Sequence, residues 1–304
     1  MMSPSRSGMD TNGKFWHADN CLLTQKKTMA LCENGRTFRA LKDLVRPLIP
    51  PTVLKARAER DFFSEKTWYA RHLGKFKSFA DANAYIRKNN LLADGYVLNH
   101  ENWLAERMRL STHDYPPLFW IGKLVLHNGL RTIGDFGGSA GVSYYAFKNY
   151  FDFPPDLMWV VCEMPEAVET GERIAKERGE FRLSFVNSPA AIADSQIFHA
   201  AGVLHYLEKT PAQLLTEIGV KSKYLVFNKI PLSQKESFVT IEGGGYGFYP
   251  CRIQGAPNFI SEMRASGYEI LDRWKCLELR MDVVLHPELT FPYYQGFVFS
   301  RFEK

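Results

Sequence analysis

The spacing of hydrophobic residues changes near residue 131. Before that point, apolar positions recur every three or four residues in segments 38–48, 97–110 and 116–129, which predicts helices joined by loops. Beyond it, short runs of β-branched and aromatic residues alternate with amphipathic stretches. That alternation predicts repeated strand–helix units.

The repeated units predict an α/β fold built on one main sheet. Strands separated by a helix pair in parallel through a right-handed crossover. The two last strands lack a long helix between them, so we expect an antiparallel end to the sheet. The expected strands of this sheet are residues 132–136, 159–162, 181–187, 195–200, 224–228, 268–274 and 296–302. A further strand is expected over residues 238–241, before a second run of glycines.

Three regions are expected along the chain. Residues 1–35 are polar and have no clear period, which predicts an extended or poorly ordered arm. Residues 36–130 form a helical N-terminal region, and residues 131–304 form the sheet domain. With 304 residues, the chain is long enough to bury one large core.

The net charge is +5, and the basic surplus lies in the first 130 residues. Such a field can attract an anionic substrate, a membrane surface or nucleic acid, but a solvated helical face is the simpler explanation. No nucleic-acid motif accompanies the charge, so we expect no nucleic-acid partner. No run of about 18 apolar residues is present, so we expect no membrane span; peripheral membrane contact and the oligomeric state stay open.

The cysteines indicate a reducing compartment. There are five of them, an odd number, and no two are spaced as Cys-x-x-Cys. A disulfide framework and a zinc site are therefore not expected. The first 20 residues lack the apolar core of a secretory signal, so the cytoplasm is the expected location and no metal is predicted.

The segment from Asp135 to Gly141 carries the strongest chemical signal. Asp135 ends a predicted strand, and Gly137, Gly138 and Gly141 follow before a predicted helix. A glycine-rich turn between a strand and a helix lets the backbone approach a ligand closely and directs amide N–H groups at it. The acid at the strand end could bind a cationic or hydroxyl-bearing part of that ligand.

A second acid, Glu163, ends the next predicted strand. In nucleotide-binding βαβ units, an acid about 20 residues beyond the glycines accepts hydrogen bonds from ribose hydroxyls. Alternatively, Glu163 caps the helix that begins near Pro165. Asn187 and Ser188 end the third strand, where they could meet an adenine edge or form a simple Asn-Ser-Pro turn.

Four segments in order resemble class I S-adenosylmethionine-dependent methyltransferases. They are Asp-Phe-Gly-Gly-Ser-Ala-Gly at 135–141, Trp-Val-Val-Cys-Glu-Met-Pro at 159–165, Gly-Val-Leu-His-Tyr-Leu at 202–207 and Gly-Tyr-Glu-Ile-Leu-Asp-Arg-Trp at 267–274. Together with Tyr-Gln-Gly-Phe-Val-Phe at 294–299, they are similar to a methyltransferase group often encoded among bacterial surface-polysaccharide genes. The resemblance covers roughly residues 60–304.

The resemblance implies a Rossmann-like, seven-stranded, mostly parallel sheet with an antiparallel last strand, and S-adenosylmethionine as cofactor. Ser139 stands where many relatives have the middle glycine; a serine fits there if its φ angle stays negative, and its hydroxyl could bind the cofactor. The residues that the resemblance implies for cofactor binding are Asp135, Gly137, Gly141 and Glu163. The other candidates for the cofactor site are Gly138, Ser139, Met164, Asn187 and Ser188.

The resemblance also implies a candidate base, His205, because some O-methyltransferases use a histidine in a Leu-His segment after the fourth strand. A neutral imidazole can accept the hydroxyl proton as the methyl group transfers. The alternative is that His205 only caps or packs. A second glycine run, residues 242–250, predicts a mobile loop over the site. Candidate substrate residues are Tyr144, Asp114, Tyr115, Tyr246 and Tyr249, although the loop tyrosines could equally anchor the loop.

The expected function is transfer of a methyl group to a hydroxyl of a sugar or glycan precursor. The basic N-terminal region favours an anionic, small-molecule or glycan substrate. One alternative is methylation of an aromatic or natural-product small molecule. Another is a non-catalytic scaffold protein of the same fold, which has no physical need of Asp135, Gly137 and Glu163.

Overall fold

The structure is a computed structural model that describes residues 50–64, 71–89, 99–244 and 247–302. The chain divides into two compact units, Met1–Arg57 and Ala58–Lys304. The expected N-terminal arm and the helix expected over 38–48 lie outside the described residues. Across the part of the chain described, no helix is both long and apolar enough to cross a bilayer.

The main sheet has seven strands in the order β10-β12-β6-β5-β2-β3-β4. The five strands from β4 to β6 are parallel, and β12 is antiparallel to both of its neighbours. The Rossmann-like sheet with an antiparallel end is thereby confirmed. Its strands are β2 (Thr132–Phe136), β3 (Met158–Cys162), β4 (Leu183–Val186), β5 (Ile197–Ala201), β6 (Tyr224–Ile230), β10 (Tyr268–Cys276) and β12 (Tyr294–Arg301).

Eight α-helices are described. Two of them begin at side chains that accept hydrogen bonds from the free amides of the first turn. Ser78 caps α2 by accepting a hydrogen bond from the amide of Asp81 (3.1 Å), and Thr210 forms a capping box with Gln213 at the start of α7. The helices are α1 (Pro51–Ser64), α2 (Phe79–Lys88), α3 (His100–Arg107), α4 (Tyr115–Gly122), α5 (Val142–Lys148), α6 (Pro165–Glu177), α7 (Pro211–Ile218) and α8 (Ala256–Ala265).

Apolar residues fill two large clusters beside the main sheet. One surrounds Trp159 with Tyr144, Phe147 and Phe153, and the other surrounds Phe227 with neighbours from β5, β12, α7 and α8. Burial of apolar area of this kind is the main favourable term in folding. These clusters fix the strands of the sheet, whose carboxyl ends carry the candidate site.

A second sheet of five strands was not expected. Its order is β11-β1-β8-β9-β7, and its β1 lies within the segment expected to be helical. The non-local pairing of β1 with β8 and β11 outweighs any local helical preference, because paired strands gain more from packing than from propensity. Its strands are β1 (Arg71–Phe76), β7 (Leu232–Ser233), β8 (Phe238–Gly244), β9 (Gly247–Gly255) and β11 (Asp282–Val284).

The described residues of the second glycine run, 242–244 and 247–250, form paired strands, where a mobile loop was expected. Glu242 pairs with Tyr249, and Gly243 pairs with Phe248, across antiparallel strands β8 and β9. The reason is that the aromatic residues after the glycines pack as strand residues. Phe248 contacts the ring of Phe62 at a centroid distance of 5.5 Å.

Candidate functional site

Asp135 lies beneath the glycine loop at the end of β2. Its side chain is only 1% exposed, and its Oδ2 accepts a hydrogen bond from Trp159 Nε1 at 3.1 Å. Its Oδ1 has no hydrogen-bond partner among the described residues. Burial raises the pKa of Asp135, and the nearby His199 and the Trp159 bond act in the opposite direction. A ligand that reaches Oδ1 would satisfy a buried acceptor that is costly to leave unpaired.

The glycines of the loop are required by close contacts. Gly137 has φ +72°, and a Cβ there would lie 2.5 Å from Val203 Cγ2. A Cβ on Gly138 would lie 2.6 Å from Asp135 Oδ2, and Gly141 has φ +89°. The amide of Gly137 donates to the carbonyl of Cys162 at 2.9 Å. The loop is therefore held against β3 and Val203, with no room for side chains at these positions.

Ser139 departs from the expectation that its φ angle stays negative. Its φ is +53°, in the left-handed region that glycine adopts without cost. Its hydroxyl lies 2.8 Å from His100 Nδ1, at the start of α3. Burial lowers the pKa of His100, with Glu163 and Glu166 opposing that effect. Ser139 thus adopts the left-handed backbone conformation typical of glycine, and its side chain adds a hydrogen bond to His100 in α3.

This backbone predicts an order of stability for two substitutions at Ser139. Ser139→Ala loses the hydrogen bond and keeps the left-handed strain, whereas Ser139→Gly loses the same bond but relieves roughly 1–2 kcal/mol of strain. Glycine loses more backbone entropy on folding, which offsets part of this gain. We therefore expect the free energy of unfolding of the Gly variant to exceed that of the Ala variant by about 1 kcal/mol. Urea unfolding measures this difference. An Ala variant as stable as the Gly variant would contradict the left-handed conformation.

Glu163 joins the loop to the start of α6. Its Oε1 accepts a hydrogen bond from the amide of Ser139 (3.2 Å), and its Oε2 accepts one from the amide of Met164 (2.8 Å). The two roles considered from the sequence are therefore compatible, since each carboxylate oxygen has a second lone pair. The structure brings Glu163 and the glycine loop into direct contact.

Met164, Asn187 and Ser188 lie at the same edge of the sheet. Met164 is the N-cap residue of α6, makes no capping hydrogen bond with its side chain and is 67% exposed. Asn187 and Ser188 are exposed after β4, and Ser188 precedes a short 3-10 helix, Pro189–Ile192. Because β2, β3 and β4 are parallel neighbours, their carboxyl ends meet at one edge. These side chains are accessible to a ligand lying on the glycine loop.

Tyr144 occupies the core and not the edge of the site. Its side chain has no exposed surface, its ring packs edge-on to Trp159, and its hydroxyl donates to Glu180 at 2.7 Å. Burial raises the pKa of Tyr144, and the hydrogen bond to Glu180 adds to the shift. A residue in this position cannot line a pocket without leaving the core, so we remove it from the candidate substrate residues.

Asp114 ends a short 3-10 helix, Thr112–Asp114, and forms an ion pair with Lys229 near the carboxyl end of β6. The distance between Asp114 Oδ1 and Lys229 Nζ is 3.0 Å. Asn228 Nδ2 also donates to Asp114 Oδ1, at 3.3 Å. Lys229 has φ +60°, an unusual conformation for a long side chain, and such strain concentrates at functional sites. Tyr115 is exposed beside Tyr150, with ring centroids 6.1 Å apart.

His205 lies in the 3-10 turn Leu204–Tyr206 after β5, and it is buried. Its side chain is 6% exposed, its Nε2 lies 3.8 Å from Glu242 Oε2, and its Nδ1 has no hydrogen-bond partner in the described regions. Burial lowers the pKa of His205 to about 4, although Glu242 opposes the shift. The imidazole is therefore neutral at pH 7. Val203, two residues earlier, packs on Gly137, which places this turn beside the glycine loop.

Of the two candidate tyrosines in the second glycine run, only Tyr249 lies in a described region. Tyr249 belongs to β9, and its ring lies 6.3 Å from that of Tyr206. Tyr246 lies outside the described residues. The sequence predictions missed three contributors, Trp159, His100 and Lys229. Trp159 is identified by its hydrogen bond to Asp135, His100 by its contact with Ser139, and Lys229 by its positive φ angle and its pairing with Asp114. None of these features can be read from sequence spacing.

Comparison with known proteins gives only distant likenesses. No protein-family model matches the sequence, and no curated protein matches it. The Burkholderia thailandensis 1,6-didemethyltoxoflavin-N1-methyltransferase with S-adenosylhomocysteine is similar at 15% sequence identity and a TM-score of 0.43, over 76% of this chain and 93% of the other. The Synechocystis PCC 6803 magnesium protoporphyrin IX methyltransferase with S-adenosylhomocysteine is similar at 10% identity and a TM-score of 0.42, over 74% of this chain and 96% of the other. The CcbJ methyltransferase from Streptomyces caelestis is similar at 12% identity and a TM-score of 0.38, over 60% of this chain and 88% of the other.

Proposed function

We propose that this chain is an S-adenosylmethionine-dependent methyltransferase. The observation that carries the proposal is that two acidic side chains lie next to the same glycine loop. Glu163 binds the Ser139 amide within that loop, and Asp135 lies beneath the same loop with Oδ1 unpaired among the described residues. A loop that excludes side chains, one buried acid and one accessible acid suit a nucleoside with a charged tail.

The chain's residues fit the cofactor as follows. Glu163 would accept hydrogen bonds from the ribose diol on its remaining lone pairs, and Asp135 Oδ1 would bind the ammonium group of the methionine part, directly or through a water. Met164 and the exposed pair after β4 would surround the adenine. When bound, S-adenosylmethionine supplies an electrophilic methyl group on sulfur.

The chain's own contribution is to orient the acceptor and to remove its proton. His205 is our candidate base, because its turn adjoins the glycine loop through Val203 and its Nδ1 is unpaired in the described structure. Alignment of the acceptor oxygen with the methyl group, in a site that excludes water, provides the rest.

The acceptor that we propose is a hydroxyl of a sugar or glycan precursor, such as those methylated in surface-polysaccharide synthesis. The support is the pair Asp114 and Lys229 at the carboxyl end of β6. A carboxylate accepts hydrogen bonds from hydroxyls, and an ammonium binds an anionic group. An aromatic small molecule is the second candidate, because Tyr206 is 37% exposed beside Tyr249 and could stack on a ring.

Calorimetry with S-adenosylmethionine and S-adenosylhomocysteine tests the cofactor. Glu163→Gln should weaken binding by about 10-fold or more, since hydrogen bonds to a charged group contribute about 1.5–3 kcal/mol. Glu166→Gln is the matched control, because Glu166 is exposed in the first turn of the same helix. No binding by the parent protein would refute the proposal.

The acceptor is tested by the release of S-adenosylhomocysteine from a panel of sugars, nucleotide sugars and phenols. His205→Ala should retain cofactor affinity and lose most of the turnover found with the best acceptor. Turnover equal to that of the parent would remove His205 as the base. A response to phenols alone would select the aromatic alternative.

Lys229→Asn is expected to lower turnover while the fold stays as stable as in the parent. Asparagine tolerates the left-handed backbone better than other side chains, so the φ of +60° is retained while the ammonium is lost. We expect kcat/KM for an anionic acceptor to fall by about 10-fold or more. Lys221→Asn is the control, since Lys221 forms an exposed pair with Asp194. An unchanged kcat/KM would exclude Lys229 from the acceptor site.

A further inference from the structure

The second sheet contains a buried cluster of side chains that can ligate metals. His72 on β1, Glu242 on β8 and Cys251 on β9 are all buried, and one potential ligand atom from each lies within 4.8 Å of the others. These residues come from distant parts of the sequence. None of them belongs to the proposed cofactor site.

The strand register places the three side chains on one face of the sheet. His72 is the direct partner of Glu242 across β1 and β8. Cys251 is the partner of Thr240, two residues before Glu242 on β8. Because side chains two apart on a strand share a face, Cys251 is the diagonal neighbour of Glu242 on the face that carries His72. Regular sheet geometry thus assembles the donors.

We propose that His72, Glu242 and Cys251 bind a divalent transition metal, with Zn²⁺ as the preferred ion. Glu242 Oε2 lies 3.7 Å from His72 Nε2 and 3.3 Å from Cys251 Sγ. Ligands of one tetrahedral zinc, at bond lengths of about 2.0–2.3 Å, lie about 3.3–3.8 Å apart. One imidazole, one carboxylate and one thiolate are typical zinc donors.

The donors of the cluster can exchange their hydrogen bonds for bonds to a cation. Without a metal, Cys251 Sγ donates a weak hydrogen bond to Glu242, and a buried carboxylate relies on polar neighbours alone. On binding, the metal displaces the thiol proton to solvent, forms a bond to the thiolate and compensates the charge of the carboxylate. The inference does not rest on the proposed methyl transfer, but the two sites adjoin, because Glu242 Oε2 also lies 3.8 Å from Nε2 of the candidate base His205.

The test uses the untagged, full-length protein, because a histidine tag would itself bind metal. After purification without chelator and dialysis against metal-free buffer, elemental analysis should find about one zinc per chain. Replacement of the zinc by Co²⁺ should produce a thiolate-to-cobalt charge-transfer band in the near ultraviolet. Metal binding does not require S-adenosylmethionine, so this assay can succeed or fail separately from the calorimetry.

Cys251→Ser should remove the charge-transfer band and weaken cobalt affinity by at least about 100-fold, since even loss of an indirect partner typically costs 10–100-fold. Cys276→Ser is the matched control, because Cys276 is also buried but donates to Asn228; it should retain the band. If Cys251→Ser lacks the circular dichroism of the parent, His72→Gln replaces it, with the same expected loss of affinity. Zinc removed by dialysis, or a band that persists in Cys251→Ser, would overturn the proposal.

Discussion

Asp135→Asn should abolish most cofactor binding while leaving the protein at least as stable as the parent. We expect the affinity for S-adenosylmethionine, measured by calorimetry, to fall about 10- to 100-fold, because the amide cannot form a charge-assisted bond to the ligand ammonium. The stability expectation follows from burial. The carboxyl is 1% exposed and has one described hydrogen bond, from Trp159.

The sign of the stability effect follows from the pKa of Asp135. Burial raises that pKa in the folded protein, so the folded state binds the proton more tightly than the unfolded state does. The contribution of Asp135 to stability is therefore full below its unfolded pKa and is lost as the pH rises through the folded pKa. Above its unfolded pKa the buried carboxyl therefore makes the ligand-free protein less stable. Asparagine does not ionise and removes that effect.

Melting temperature and calorimetry together check this prediction. Asp194→Asn is the control, because its carboxylate is exposed and paired only with Lys221 in the described structure; it should alter neither quantity appreciably. A lower melting temperature for Asp135→Asn would show that the carboxylate holds the loop in place. Affinity within twofold of the parent would exclude Asp135 from the cofactor site.

Gly137→Ala should be strongly destabilising and should also prevent cofactor binding. The φ of +72° costs an alanine roughly 1–2 kcal/mol. The new methyl group would lie 2.5–2.8 Å from three atoms of Val203, and overpacking of this kind costs roughly 1–3 kcal/mol more. We expect the free energy of unfolding to fall by about 2–5 kcal/mol in urea titrations.

Gly179→Ala separates the two effects. Gly179 has φ +65°, and a Cβ there meets nothing within 4 Å, so only the backbone cost of roughly 1–2 kcal/mol should remain. Adding Val203→Ala to Gly137→Ala removes the opposing side chain and should recover part of the loss, as a double-mutant cycle measures. If Gly137→Ala and Gly179→Ala lowered the free energy of unfolding equally, a steric clash between position 137 and Val203 would be excluded.

The main sheet could be predicted because its signals are local. Each βα unit shows a short apolar run, a turn and an amphipathic helix, and the glycine loop with Asp135 marks the first unit. In the second sheet, only the strand at 238–241, which corresponds to β8, could be predicted in this way. Its strand β1 is recognisable only through its partners β8 and β11, and such non-local pairing leaves no periodic pattern in a six-residue segment.

The same distinction applies to the candidate site. Asp135, the glycines and Glu163 have fixed spacing within one βαβ unit, so the sequence indicates them and the structure brings them together. The conformations of Ser139 and Lys229 depend on contacts with α3 and Asp114. The His72, Glu242 and Cys251 cluster joins three strands that are distant in sequence, so no local spacing of ligands marks it.

The position of β1 limits how the chain can be divided. Because β1 lies between β8 and β11, a shortened protein that begins at residue 131 would keep the main sheet but lose an inner strand of the second one. Two strand edges that are normally paired would then be open to other chains, which is a recognised cause of aggregation. Residues 71–76 are thus an integral part of the second sheet and cannot be removed without opening it.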